Sequence, residues 1–183
     1  MAKVTTPDEG EATTIVNLAE AAMHMYGSAI ASLPDPNDAD FHQRADVILS
    51  GLRKLQVTLT TAATRSRTTP AVTVAVSGVR KVYDDLMVVN AAAPSGTLGQ
   101  QLYVARRRAR LSAQEAANGV GLRADLLDEL EAGEIPTDDE ALKIKELIEA
   151  LGGSQEGAQN NTASNDTPSE SWDESSGWND GNG

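Results

Sequence analysis

Residues 98–133 read LGQQLYVARRRARLSAQEAANGVGLRADLLDELEAG, and the turn inside this stretch decides the fold. Ser112 stands where a hydroxyl can accept from the backbone N–H groups that open a short helix. Glu115, three residues on, completes a capping box. Ala116 and Ala117 are small enough for a second helix to cross close by. Gly119 and Gly121 let the chain turn, Gly121 being the better candidate for a left-handed residue. Leu122, Leu126, Leu127 and Leu130 follow at helical spacing, and Gly133 and Pro136 end that helix.

Working outward, Leu98, Leu102 and Ala105 supply the inner face of a preceding helix. Leu142, Ile144, Ile148 and Leu151 supply that of a following one, closed by Gly152-Gly153. Asp138, Asp139 and Glu140 suit the N-terminal end of this last helix through its dipole. Four helices are therefore expected between residues 97 and 152.

This pattern resembles the Cro/C1-type (XRE-like) helix-turn-helix family. The resemblance is carried by Leu98-Gly99, Leu102, Arg106, Leu111-Ser112, Ala116-Ala117, Gly121-Leu122, Leu127, Leu130-Glu131 and Gly133, with Leu142, Leu147 and Leu151-Gly152 fitting the next helix. It implies a double-stranded DNA partner, with the helix of about residues 123–132 in the major groove. Gln114, Ala124, Asp125, Asp128 and Glu129 would face the groove. Arg106, Arg107, Arg108, Arg110 and Arg123 would hold phosphates, together with Gln100, Gln101 and Tyr103. Such contacts position a protein without reading sequence. Glu131 is expected to have a structural part.

The charges pull the other way. Between Gly96 and Gly152 seven Lys/Arg stand against eleven Asp/Glu, a balance of −4. Carboxylates repel phosphates and are uncommon base readers. Ala113 stands where the family often has a phosphate-contacting Gln. Two functions are therefore carried forward. One is a DNA-binding transcriptional regulator that binds mostly through phosphates and needs a homodimer for useful affinity. The other is an adaptor or assembly factor that keeps the fold and uses the acidic helix as a protein–protein surface. The competing reading of the arginines is a solvated face paired with Glu115, Asp125 or Asp128.

Residues 8–93 read as three helices. Ile15, Leu18, Ala22, Met25, Ala29 and Ser32/Leu33 recur at three-and-four spacing in the first. Phe41, Ala45, Ile48, Leu52, Leu55, Leu59 and Ala62 do so in the second. These seams suggest a three-helix bundle or a coiled-coil-like unit that dimerises or takes a protein partner. Pro34–Asp38 separates the two helices, and Asp38 or Asp40 is expected to cap the second. The third follows Pro70 with Val72, Ala75, Val76, Val79, Val82, Tyr83, Leu86 and Val89. Its β-branched content would suit a strand, but the spacing argues helix. Ala93-Pro94-Ser95-Gly96 is expected to be a linker.

Residues 153–183 form an acidic tail without Lys or Arg, expected to be disordered. Trp172 and Trp178 stand out in it as a candidate docking motif or as isolated aromatics, and its acids as competitors of DNA for the arginines. The fold expected is thus all-α, in three parts.

The whole chain of 183 residues has a net charge of −12, which opposes general attraction to nucleic acid or membrane. With no cysteine, disulfides and thiolate chemistry are excluded. There is no apolar run of membrane-spanning length and no signal-like start, so a cytoplasmic location is expected. His24 and His42 lie on separate helices without metal-ligand spacing. No nucleophile–base set is recognisable, so neither catalysis nor a cofactor nor a metal is expected.

Overall fold

The computed structural model describes residues 7–65 and 70–152, all within one compact unit that ends at Gly153. Among them there are seven helices and no strand: α1 (Pro7–Ala31), α2 (Phe41–Arg65), α3 (Pro70–Ala92), α4 (Leu98–Arg108), α5 (Ala113–Val120), α6 (Ala124–Glu131) and α7 (Asp138–Ala150). The all-α expectation is met. The tail, with Trp172 and Trp178, lies outside the described residues.

The first three helices pack on one another around Phe41, Ala45, Ile48, Leu49, Leu52 and Leu59 of α2 and Val79, Tyr83, Leu86 and Met87 of α3. The spacing of α2 and α3 is thus the packed one except at Val89, which is 43% exposed, and the β-branched run of α3 is helical because its apolar face is buried. On α1 the expected seam packs at Ile15 and Ala29 but not at Leu18 and Met25. Leu18 and Met25 are each 66% exposed, whereas Ala12 and Ala19 are buried and Ile15, Met23, Tyr26 and Ile30 pack against the core. A run this rich in small apolar residues offers two overlapping stripes. The stripe with alanines at its centre wins because it lets α1 lie close to its neighbours.

Residues 93–96, expected as a linker, connect two helices that themselves pack together, α3 and α4. Thr97 caps α4 in a capping box with Gln100. Tyr103 and Val104 of α4 join the core of the first three helices, while its Leu102 and Ala105 join a second core. That second core contains Ala116, Ala117, Leu126, Leu127, Leu130, Ile144, Leu147 and Ile148. One helix therefore serves both cores, each on its own face.

Ser112 and Glu115 form the expected capping box at the start of α5, and Thr137 and Glu140 form another at α7. Gly121 takes the left-handed conformation (φ 66°) that ends α5 and aims the chain into α6. Leu142, expected on the inner face of α7, is 61% exposed. Gly99 lies so near the carbonyl of Leu130 that a Cβ there would collide with it. This close approach presses α4 onto the end of α6.

Candidate functional site

The site expected from sequence must be redrawn first at Arg106. Its side chain is 11% exposed and its guanidinium grips the Glu131 carboxylate with two parallel bonds, Nε to Oε1 at 2.5 Å and Nη2 to Oε2 at 2.6 Å. It also lies over the Tyr103 ring, 4.9 Å from the centroid. A guanidinium so held cannot reach a phosphate. Burial opposes its charge, but the Glu131 carboxylate more than offsets this and raises its pKa. Arg106 is a clamp between α4 and the end of α6, and Glu131 has the structural part expected of it.

Gln100 and Tyr103 are also removed from the expected phosphate contacts. Gln100 is buried, completing the α4 cap and donating to Asp46 at 3.1 Å. Tyr103 is buried and donates its hydroxyl proton to Asp84. Burial and that carboxylate push its pKa up. Gln101 is turned back onto the Gly96 carbonyl.

The remaining arginines lie outside the core. Arg107 is exposed and paired with Asp84 at 2.6 Å. Arg108 and Arg110 are exposed. Arg110 has φ 59°, the left-handed conformation usually left to glycine. Here it closes α4, with the Leu111 N–H reaching back to the Arg106 carbonyl at 2.9 Å. Arg107, Arg108, Arg110, Ser112 and Glu115 line one surface concavity, so the basic turn stands beside the N-terminus of α5.

On α6, Asp125, Asp128 and Glu129 are exposed, and Ala124 is half-buried against the second core. Arg123, expected as a phosphate contact, is held by its own helix, 2.5 Å from Asp125 and 3.6 Å from Glu129. Gln114 is exposed and bonded to Asn118. The arginines do pair with acids, but Glu131 and Asp84 are two of the partners, and Glu115 is occupied by Ser112.

Several polar residues escaped the sequence reading. Asp46 accepts from Asn90 and Gln100 at 3.1 Å each and stands 3.1 Å from His42 Nε2, while His42 Nδ1 lies 3.3 Å from Asn90 Oδ1. Asn90 is fully buried. It follows Leu86 and Met87 on the inner face of α3, and an amide there needs a partner. That was the available signal. Arg53 of α2 donates to the Tyr83 hydroxyl at 2.7 Å and to the Glu131 carbonyl. His24 is exposed on α1, and among the described residues no group of His, Asp or Glu is arranged to hold a metal ion.

Residues 26–97 match the family described as the MSMEG_6518 N-terminal domain. That span runs from within α1 to the cap of α4. An uncharacterized protein of Mycolicibacterium smegmatis (strain ATCC 700084 / mc(2)155) is 58% identical over 129 residues, covering 70% of this chain and 100% of the relative. No solved structure matches the chain. With that identity over the whole of the relative, the chain belongs to the MSMEG_6518 N-terminal domain family.

Proposed function

We propose that residues 97–152 are a Cro/C1-type helix-turn-helix module and that the protein is a cytoplasmic DNA-binding transcriptional regulator. The reading rests on the resemblance and on a capped α5, a left-handed Gly121 and an α6 whose outer face is open. One observation carries the DNA contact. Arg110 is held left-handed at an exposed turn where glycine would be unstrained, and strain of this kind concentrates at functional positions. The turn presents Arg108 and Arg110 beside the N-terminus of α5, with Arg107 next to them held on Asp84. Their contacts are to phosphates, so binding is salt-dependent and poor in sequence discrimination. An affinity useful at ordinary salt then needs a homodimer.

The test is fluorescence anisotropy on random duplex DNA across a salt series. Arg110→Gly relieves the turn and removes the charge. It is expected to lose affinity on every sequence and to lower the salt slope by about 1. Unchanged affinity and slope would overturn the contact.

A second reading, a helix-turn-helix adaptor that binds a protein, is favoured by the closed pairing of Arg123 with Asp125 and Glu129, which leaves the outer face of α6 acidic. Reversing Asp125, Asp128 and Glu129 to Lys separates the two. A regulator gains non-specific DNA affinity, and an adaptor loses a basic partner and gains nothing on DNA.

A further inference from the structure

Besides the concavity beside α5, a second cleft has four arginines in its wall. It is a cavity of about 340 Å³ where α2 and α3 face α4 and α6. Arg53, Arg80, Arg106 and Arg107 line it together with Tyr83, Tyr103, Asp128 and Glu131. Two of the guanidiniums are already satisfied, Arg106 by Glu131 and Arg107 by Asp84. The other two are not. Arg80 is exposed and makes no ion pair among the described residues. Arg53 uses only Nη2, on the Tyr83 hydroxyl and the Glu131 carbonyl, so its Nε and Nη1 keep their donors.

The wall holds Arg53 in place. Tyr83 and Tyr103 meet edge to face, with centroids 5.6 Å apart and planes at 81°. Arg53 lies over the Tyr83 ring at 5.7 Å. Burial pushes the Tyr83 hydroxyl's pKa up, so it stays protonated and adds no charge. With the Arg106–Glu131 pair internally balanced and the charge of Arg107 met by Asp84, the uncompensated charges are Arg53 and Arg80 against Asp128. An excess of planar N–H donors in a small cleft that also presents Val57 and two tyrosines recognises an oxyanion carried on an apolar body.

We propose that this cleft is a binding site for a small organic oxyanion, a carboxylate or a phosphate ester, held by Arg53 and Arg80. The proposal does not rest on DNA binding. It has a structural consequence, because Arg53 also holds the carbonyl of Glu131 at the C-terminal end of α6. An anion on Arg53 therefore acts on the support of the same helix that the helix-turn-helix reading places in the groove.

The test is a titration of the ¹⁵N-labelled full chain with benzoate and, separately, with phenyl phosphate, using phenol and sodium chloride as controls. Backbone and guanidinium Nε–Hε signals are followed by NMR. At least one anion is expected to saturate with a Kd of about 1 mM or tighter, which is accessible to a site of this size. The shifts should centre on Arg53, Arg80, Tyr83 and Tyr103, with none from phenol. The tighter of the two anions tells carboxylate from phosphate ester.

Arg80→Ala removes an exposed, unpaired side chain and leaves the fold intact, and it should weaken binding about tenfold. Arg53→Lys keeps the charge, loses the fork and should also weaken it. The proposal fails if neither anion saturates, if sodium chloride reproduces the shifts, or if Arg80→Ala binds as tightly as the unaltered chain. It fails equally if the shifts centre on Arg108 and Arg110.

Discussion

Arg106 and Glu131, 25 positions apart, form a two-bond ion pair at 2.5 and 2.6 Å that joins α4 to the last residue of α6. Both side chains are nearly enclosed, at 11% and 5% exposure. Removing one partner strands a buried charge, so Arg106→Ala or Glu131→Ala should each cost about 3–5 kcal/mol. Arg106→Met with Glu131→Leu should cost far less, because two apolar groups leave no orphan. Urea unfolding of the three variants measures this. Single variants as stable as the unaltered chain would contradict the clamp.

Asp84 is shared between the Tyr103 hydroxyl and Arg107. Asp84→Asn keeps a hydrogen-bond acceptor for Tyr103 and releases the charge of Arg107. On the regulator reading, affinity for random duplex DNA rises and the salt slope steepens by about 1. Anisotropy at two salt concentrations is enough to see it, and an unchanged slope would mean that Arg107 stays off the DNA.

Two glycines should respond in opposite directions. Gly99→Ala drives a methyl into the Leu130 carbonyl, which is backbone and cannot swing aside, and should cost about 1–3 kcal/mol. Gly119→Ala lies inside α5, with nothing within 4 Å of the new methyl, and should gain about 0.5–1 kcal/mol. Melting temperatures should therefore move apart. A parallel fall in both would place α5 in different surroundings.

The capping carboxylates set a pH dependence. The Ser112 N–H and hydroxyl hold Glu115 below the usual carboxylate range, and Thr137 does the same for Glu140. A depressed folded pKa gives stability that is present above the unfolded value and is lost as pH falls through the folded one. The gap between the native chain and Glu115→Gln/Glu140→Gln should therefore shrink from about pH 5 downward. Denaturant midpoints across that range check it, and a gap that widened in acid would reverse the sign.

Asp46 gathers the side chains of His42, Asn90 and Gln100 where α2, α3 and α4 meet. Asp46→Ala leaves the buried Asn90 and Gln100 amides without their acceptor and should cost about 1–3 kcal/mol. The loss should appear as faster amide hydrogen exchange at the start of α4, ahead of α7. Exchange rising uniformly over both helices would point to global loosening instead.

The caps Ser112–Glu115, the turn at Gly121 and the leucines of α6 follow from neighbours within four positions, and local rules reach that far. The inner faces of α2 and α3 were legible for the same reason. The face of α1 was legible only at Ile15 and Ala29, because its small residues allow two stripes and only the packed neighbours choose. The arginine run 106–110 reads as one feature in sequence but divides in space. Position 106 lies on the face between α4 and α6, 107 meets Asp84, and 110 sits in the turn.

The sequence by itself determined the helices, their caps and the charge they carry, since propensity, periodicity and ionisation are properties of short segments. Only the tertiary structure decided which charges remain outside. A guanidinium is enclosed or offered to a ligand according to whether a carboxylate from a distant element meets it. Glu131 meets Arg106 and Asp84 meets Arg107, while Arg80 has no such partner among the described residues. Those pairings are fixed by the crossing of α4 with α3 and α6, which no local pattern encodes.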